Sequence, residues 1–251
     1  MVTSGKVWLL PVKPTLFNYS MVLRYDLVYV GYRNTIFYTI CGTTINVILT
    51  LLCAYPLSRK DLLGRGFFTF LFTFTMLFSG GMIPSYILMR NLKLLNTVWA
   101  MMLPGAISVT NMIVVRTYFQ NSVPIELLEA SKIDGCSDIN YFFKILLPLS
   151  HAVIAVIALF YAVGHWNAYF NAFLYLSRQS LYPLQLFLRE ILVQNKFSGD
   201  MIDPEFAEAM LGLYEVLKYA IIVLSTAPLM CFYPLAQRHF VKGVMIGSLK
   251  G

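Results

Sequence analysis

The sequence predicts an all-α membrane protein, a helix bundle with five visible spans. Three observations carry this. Of 251 residues, 58% are hydrophobic and only 12% charged, with mean hydropathy +0.68, where soluble domains carry about 25% charged residues. The apolar runs last about 20 residues, the length a helix needs to cross the hydrocarbon core, not the roughly 10-residue alternating segments of a barrel. Finally, all twelve Asp and Glu fall in loops or at span edges, as expected where a carboxylate at membrane depth is costly.

Residues 1–33 read as a lead-in on the outer face. They hold Trp8, Pro11 and Pro14, then Tyr19, Tyr25, Tyr29 and Tyr32, and Trp and Tyr favour the membrane–water interface. The start lacks the charged end and apolar core of a signal peptide. It reads as the far-side end of an earlier segment. The transmembrane domain is placed at residues 34–236. Span one, 34–57, carries Gly42, Thr43, Thr44 and Asn46, small and polar residues that let helices approach closely. A short basic loop with Arg59, Lys60 and Arg65 follows. Span two, 67–89, is interrupted by Ser79-Gly80-Gly81 and Pro84. Broken helices are tolerated in lipid only where they are buried in protein or line a cavity. The break is thus either a pathway wall or a packing kink. Span three, 98–115, contains Pro104-Gly105. Span four covers 149–176 and span five 216–235. Between those two lies an outer loop, 177–215, with an amphipathic piece at 184–193. A tail, 237–251, ends the chain.

The most informative stretch is the loop at 116–148, within which residues 129–148 open polar and close apolar. Pro124 suits a helix start and Gly135 a left-handed stop. Ile125, Leu128 and Ile133 approximate helical spacing beside acids, and such a short helix can seat in a groove on a partner. Glu129-Ala130-Ser131, three residues, Gly135, nine residues and Ile145-Leu146-Leu147-Pro148 resemble the EAA loop of permease subunits in binding-protein-dependent ABC importers. Ser131 is the one departure, a small residue for a small residue.

Further stretches are similar to the class 1 carbohydrate-uptake branch of that family, nearest to importers of oligosaccharides such as alginate or pectin fragments. They include residues 75–81, Leu103-Pro104-Gly105-Ala106, Phe160 to Asn167 and Tyr182-Pro183-Leu184-Gln185. The tail, 240–251, looks like the same branch. The resemblance implies a MetI-like bundle, usually of six helices, whose first is expected to lie ahead of residue 1 or to be dispensed with. It implies a multi-pass protein of the bacterial plasma (inner) membrane. The implied partners are a second, related permease, two ATPase subunits, an extracytoplasmic solute-binding protein and an oligosaccharide. ATP and Mg belong to the ATPase, and this chain is expected to hold no cofactor. The ATPase contact falls on Glu129, Ala130, Ser131, Lys132, Asp134, Gly135 and Cys136, and the resemblance places this loop, and the tail, on the cytoplasmic side. Charge does not decide orientation: outside the spans, nine Lys and Arg fall on each side.

Tyr161, His165, Trp166, Asn167, Tyr169 and Asn171 form a polar, aromatic group inside span four. Rings with amides beside them suit a sugar, whose C–H face packs on an aromatic. Trp166 and Tyr169, three apart, are expected to share a helix face. The competing reading is an aromatic belt with inter-helix hydrogen bonds. No catalytic or metal-binding constellation is seen. The three His are scattered, the four Cys show no CxxC pair, and there is no P-loop. Basic residues are spread without a run, so nucleic acid is not expected as a partner. A self-sufficient channel or secondary transporter is the alternative, and the lack of carboxylates within the spans counts against it.

Overall fold

The first helix, α1 (Asp26–Ser58), runs 33 residues, about 50 Å at 1.5 Å per residue. The computed structural model describes residues 26–194, 219–220, 222–228 and 230. Among these every regular element is helical. The start of the lead-in, most acids of the outer loop, much of span five, Cys231 and the tail lie outside the described residues.

The sides of α1 are inverted relative to a soluble helix. Thr35, Tyr38, Gly42, Asn46 and Thr50 are buried, while Ile36, Ile40, Ile48 and Leu52 are exposed. In lipid no hydrophobic force drives helices together, so interiors use small and hydroxylated residues and leave bulky apolar ones outside. The helix is already formed at Asp26, eight residues before the expected start of span one, and Tyr29 and Tyr32 belong to it rather than to a separate lead-in. Nothing between Asp26 and Asn34 breaks a helix.

After α1 come α2 (Arg65–Leu77) and α3 (Met82–Asn91), bent by 112° at their junction. Gly81 lies at the junction with φ 89° and ψ 176°, a positive-φ extended conformation open to glycine. Pro84 does not take part in the break. It lies in the first turn of α3, where its missing N–H has no helical partner to lose. The expected third span is not continuous either. A short α4 (Trp99–Met102) ends before Pro104-Gly105, Gly105 takes φ 70°, and α5 (Val109–Asn121) then runs past Arg116. The loop body therefore begins at Ser122, not at residue 116.

That loop holds α6 (Ile125–Ile133) and α7 (Asp138–Leu149), the latter with a π-helical stretch at Phe142–Leu146. The next helix, α8 (His151–Trp166), departs from α7 by 81° at Ser150. It stops at Asn167, whose Nδ2 donates to the Val163 carbonyl at 2.9 Å, and α9 (Phe170–Tyr175) follows. The single fourth span expected at 149–176 is thus two helices, and Trp166 and Tyr169 do not share a face. The amphipathic piece forms α10 (Leu184–Gln194). Among the described residues, α1 alone is by length and composition long and apolar enough to cross a membrane, and the bent pairs α2–α3 and α7–α8 pass if each counts as one span.

Two apolar cores sit at opposite ends of α1. At the loop end, Leu51, Ala54 and Leu57 meet Met112 and Phe119 of α5, Tyr141 and Leu146 of α7 and Ile157 of α8. At the far end, Tyr38 packs with Met89, Met101, Ala172 and Leu186. There the backbone before α10 is pinned by α1. Asn34 Nδ2 donates to the carbonyls of Ser180 (2.8 Å) and Tyr182 (3.0 Å), the Tyr38 hydroxyl donates to Leu181 (2.9 Å), and Thr35 Oγ1 accepts from the Leu184 N–H (2.9 Å). The last bond satisfies an N–H that the first turn of α10 leaves without a helical acceptor.

Between the cores, α8 reaches α1 through hydrogen bonds. The Tyr161 hydroxyl, buried, lies 2.6 Å from Thr50 Oγ1 and accepts from the Ser108 N–H at 3.0 Å. One oxygen thus joins α1, α8 and the start of α5. Tyr161→Phe strands the half-buried Ser108 N–H and the buried Thr50 hydroxyl, at up to about 1–3 kcal/mol for an unsatisfied buried group. The expected outcome is a lower thermal midpoint of the purified protein with its helix content intact.

Candidate functional site

The loop between α5 and α8 is built from local signals that the sequence spells out. Pro124 precedes the first residue of α6. The helix closes with two reversed bonds: the Cys136 N–H donates to the Ser131 carbonyl at 2.8 Å and the Gly135 N–H to that of Lys132 at 3.1 Å. This is the Schellman arrangement, which needs a left-handed residue one position past the cap. Gly135 supplies it at φ 71°. Ser137 then caps α7, its Oγ accepting from the Asn140 N–H at 3.3 Å. Asp138 follows in the first turn, where a negative charge suits the helix dipole.

The faces of α6 differ from the expected stripe. Leu128 turns inward and packs against the loop-end core. Ile125 and Ile133 are exposed at 47% and 87%, and Glu129 lies exposed between them at four-residue spacing. The outward row is therefore apolar, acid, apolar. Ala130, Lys132, Asp134 and Gly135 are also exposed and Cys136 is half-buried. Ser131, the departure from the EAA pattern, is buried and its Oγ donates to the Leu128 carbonyl at 2.7 Å. The small residue is thus spent within the helix rather than offered outward.

An ionic cluster joins this loop to the end of α1. Arg59 Nε and Nη2 grip Asp61 at 2.9 and 2.6 Å, and Nη1 donates to Asp138 at 2.9 Å and to the Tyr55 hydroxyl at 3.0 Å. Lys132 Nζ reaches Asp61 at 3.4 Å. The Arg59 guanidinium holds the Asp61 carboxyl well below the usual carboxylate range. Because that folded value lies below the ordinary one of about 3.9, the pair's contribution is complete above that pH and fades only as the pH falls further. Arg116 and Gln120 of α5 add bonds to the Leu57 and Ser58 carbonyls at 3.1 and 3.2 Å, closing acceptors that a helix end leaves open. In the sequence residues 58–61 read as a plain basic loop. Their one hint was an acid two positions after an arginine.

The candidate path residues are brought only partly together. Tyr161 and His165 lie one turn apart on the α1-facing side of α8. An added Cβ on Gly42 would stand 2.5 Å from the His165 ring. Around this contact Thr39 Oγ1, Thr43 Oγ1, Asn46 Oδ1 and His165 Nε2 are buried with no hydrogen-bond partner among the described residues. Trp166 turns elsewhere, its Nε1 donating to the Ser225 carbonyl at 3.0 Å. Asn167 and Tyr169 are exposed at the kink between α8 and α9, with Asn171 half-buried in the first turn of α9. The Arg189 guanidinium of α10 lies 5.8 Å from the Tyr169 ring centre and 4.4 Å from that of Phe173. Among the described residues no group of three or more His, Cys, Asp or Glu is placed to hold a metal.

The chain is similar to the polygalacturonan/rhamnogalacturonan transport system permease protein YtcP of Bacillus subtilis (strain 168). The two are 44% identical over 251 residues, covering 100% of this chain and 87% of that protein. Protein LplC of the same organism is 44% identical over 217 residues, 86% of this chain and 72% of the relative. In the crystal structure of a bacterial ABC transporter involved in the import of the acidic polysaccharide alginate, one chain matches at a TM-score of 0.85 with 36% identity. That match covers 95% of this chain and 84% of that one. The sequence profile of the family described as binding-protein-dependent transport system inner membrane component matches residues 46–246. With a helical fold, an EAA-type loop and a family match over most of its length, the chain belongs to that family and is a permease subunit of an ABC importer.

Proposed function

We propose that the chain forms half of the translocation path of an ATP-driven oligosaccharide importer in the bacterial plasma membrane, crossing it several times. Its loop takes the stroke of a separate ATPase, which carries ATP and Mg. The observation that carries the coupling reading is the exposed row Ile125–Glu129–Ile133, on the side of α6 away from the inward-facing Leu128 and Ser131. Such a row fits a groove with an apolar floor and a basic rim, and Gly135 sets the angle at which it is presented. The second permease, related to this one, would supply the other wall. A solute-binding protein would dock at the far end, on the side of residues 177–215. The substrate class is supported by the polysaccharide transport of the similar proteins and by the ring-and-amide kink at Asn167, Tyr169 and Asn171. His165 lies deeper, while Tyr161 and Trp166, whose polar atoms are spent on Thr50, Ser108 and Ser225, hold the wall in place.

The test is uptake of labelled oligosaccharide into proteoliposomes holding both permeases and the ATPase, with the binding protein added outside. Uptake is expected to require ATP and every subunit, and transport by this chain alone would overturn the reading. In the same vesicles Tyr169→Ala, which removes an exposed ring and little packing, is expected to lower uptake several-fold while binding-protein-stimulated ATP hydrolysis persists. Parallel loss of both would remove Tyr169 from the path.

A further inference from the structure

We propose that Arg59 is a positioning residue of the transport cycle, locking the end of α1 to both helices of the coupling loop so that loop and bundle move as one body. The inference rests on the coupling reading above. Asp138, Arg59, Asp61 and Lys132 form one continuous chain of charge-assisted bonds, and its ends lie on α7 and α6. Arg59 is the inner member, with its side chain 12% exposed against 57% for Asp61, 62% for Asp138 and 50% for Lys132. A mostly buried guanidinium with exposed carboxylates on two sides is held in direction as well as in place, because the planar fork fixes the angle of each bond. The neighbouring rings add to the hold. Tyr55 accepts from Arg59 and lies 5.1 Å from the Phe142 ring.

Stability alone does not account for such a cluster. Ion pairs with exposed partners contribute little to folding, and α1 is already held by the loop-end core. A lever, however, transmits motion only through contacts that resist rotation. On α6 the inward contacts are Leu128 and Ser131, a narrow seat about which a nine-residue helix can rock. The Lys132–Asp61–Arg59 arm fixes the C-terminal end of α6, and the Asp138 arm fixes the N-terminal end of α7 on the other side of Gly135. Loss of the arms leaves the ATPase free to move the loop without moving the bundle.

The experiment measures ATP hydrolysed per oligosaccharide imported by the complete complex in proteoliposomes, with complex yield recorded for each variant. Arg59→Gln is expected to raise that ratio about 5-fold or more, the low end of an ordinary coupling free energy. Arg59→Lys, which keeps the charge and loses the fork, is expected to fall between. Asp138→Asn removes one arm at the surface and is expected to raise the ratio less. It decides the matter if Arg59→Gln fails to assemble, and an unchanged ratio there overturns the proposal. Equal losses of yield, hydrolysis and uptake at a constant ratio would make Arg59 structural only and also overturn it. Glu129→Lys in the same assay separates the two ideas. If it uncouples and the Arg59 variants do not, the tie is wrong and the coupling reading stands. If neither uncouples, the coupling reading itself fails.

Discussion

Replacing Gly42 with leucine is expected to remove most of the assembled protein from the membrane, and His165→Ala in the same chain to restore much of it. Gly42 is where α1 meets α8, midway between the two apolar cores. An added Cβ there would stand 2.5 Å from His165 Cε1 and Nε2 and 2.9 Å from Cδ2, closer than real contacts allow. Either the helices separate or the ring leaves its place. Separation would stretch the Tyr161–Thr50 bond one turn away, so the strain spreads along the interface. Overpacking a filled interior costs about 1–3 kcal/mol and sometimes more, a large share of a stability of about 5–15 kcal/mol. Gly42→Ala should suffer in the same direction, since the first carbon already collides. Yield of detergent-extracted complex and its thermal midpoint are the readouts. A Gly42→Leu protein with native yield and melting would show that α1 and α8 are not packed this closely, and no relief from His165→Ala would show that the ring is not what the side chain meets.

Features set by short-range rules were legible in the residues alone. The Gly135 stop is one: spacing placed a left-handed residue eleven positions after Pro124, and the chain turns there with both Schellman bonds formed. The break at residues 79–81 is another, because two adjacent glycines next to a serine weaken any helix. The approach of a neighbour at Gly42 was legible in kind, from the small residues of span one, but its partner was not. What escaped depended on distant contacts. Pro148 marked the start of span four to within a few residues, but not the 81° angle at which α8 leaves α7, and Asn167 is ordinary inside an apolar run although α8 ends there. The inward side of α6 was misjudged because Leu128 looked like one of three equivalent apolar residues, whereas one faces the core and two do not. Arg59 looked like any loop cation, since its partner Asp138 is 79 positions away. Among the path candidates, Tyr161 and Trp166 have the chemistry of a sugar wall, but their polar atoms are occupied by Thr50, Ser108 and Ser225.

Glu129→Lys is expected to abolish most oligosaccharide uptake while leaving the purified permease as stable as before. The two halves of that expectation have separate causes. Glu129 is exposed and enters none of the three ion pairs among the described residues, so reversing its charge breaks no ion pair there. Exposed substitutions of this kind usually change stability by no more than about 0.5 kcal/mol. Against a partner, the same change places a cation where the rim is read as basic, and like charges brought together at an interface cost several kcal/mol. A loss of that size is 100-fold or more in affinity, since about 1.4 kcal/mol is tenfold. Gly135 offers a graded companion. Nothing lies within 4 Å of a Cβ added there, so the cost of a side chain is conformational, about 1–2 kcal/mol for a residue forced into the left-handed region. Asparagine visits that region readily and a β-branched residue does not. Uptake is therefore expected to fall in the order Gly135→Asn, Gly135→Ala, Gly135→Val, following backbone strain rather than side-chain volume. An order set by volume instead would mean that the added atoms strike a docked partner, and that Gly135 shapes the contact directly rather than through the angle of α6. Native uptake by the Glu129→Lys complex would leave α6 without a role in coupling, whatever the glycine series gave.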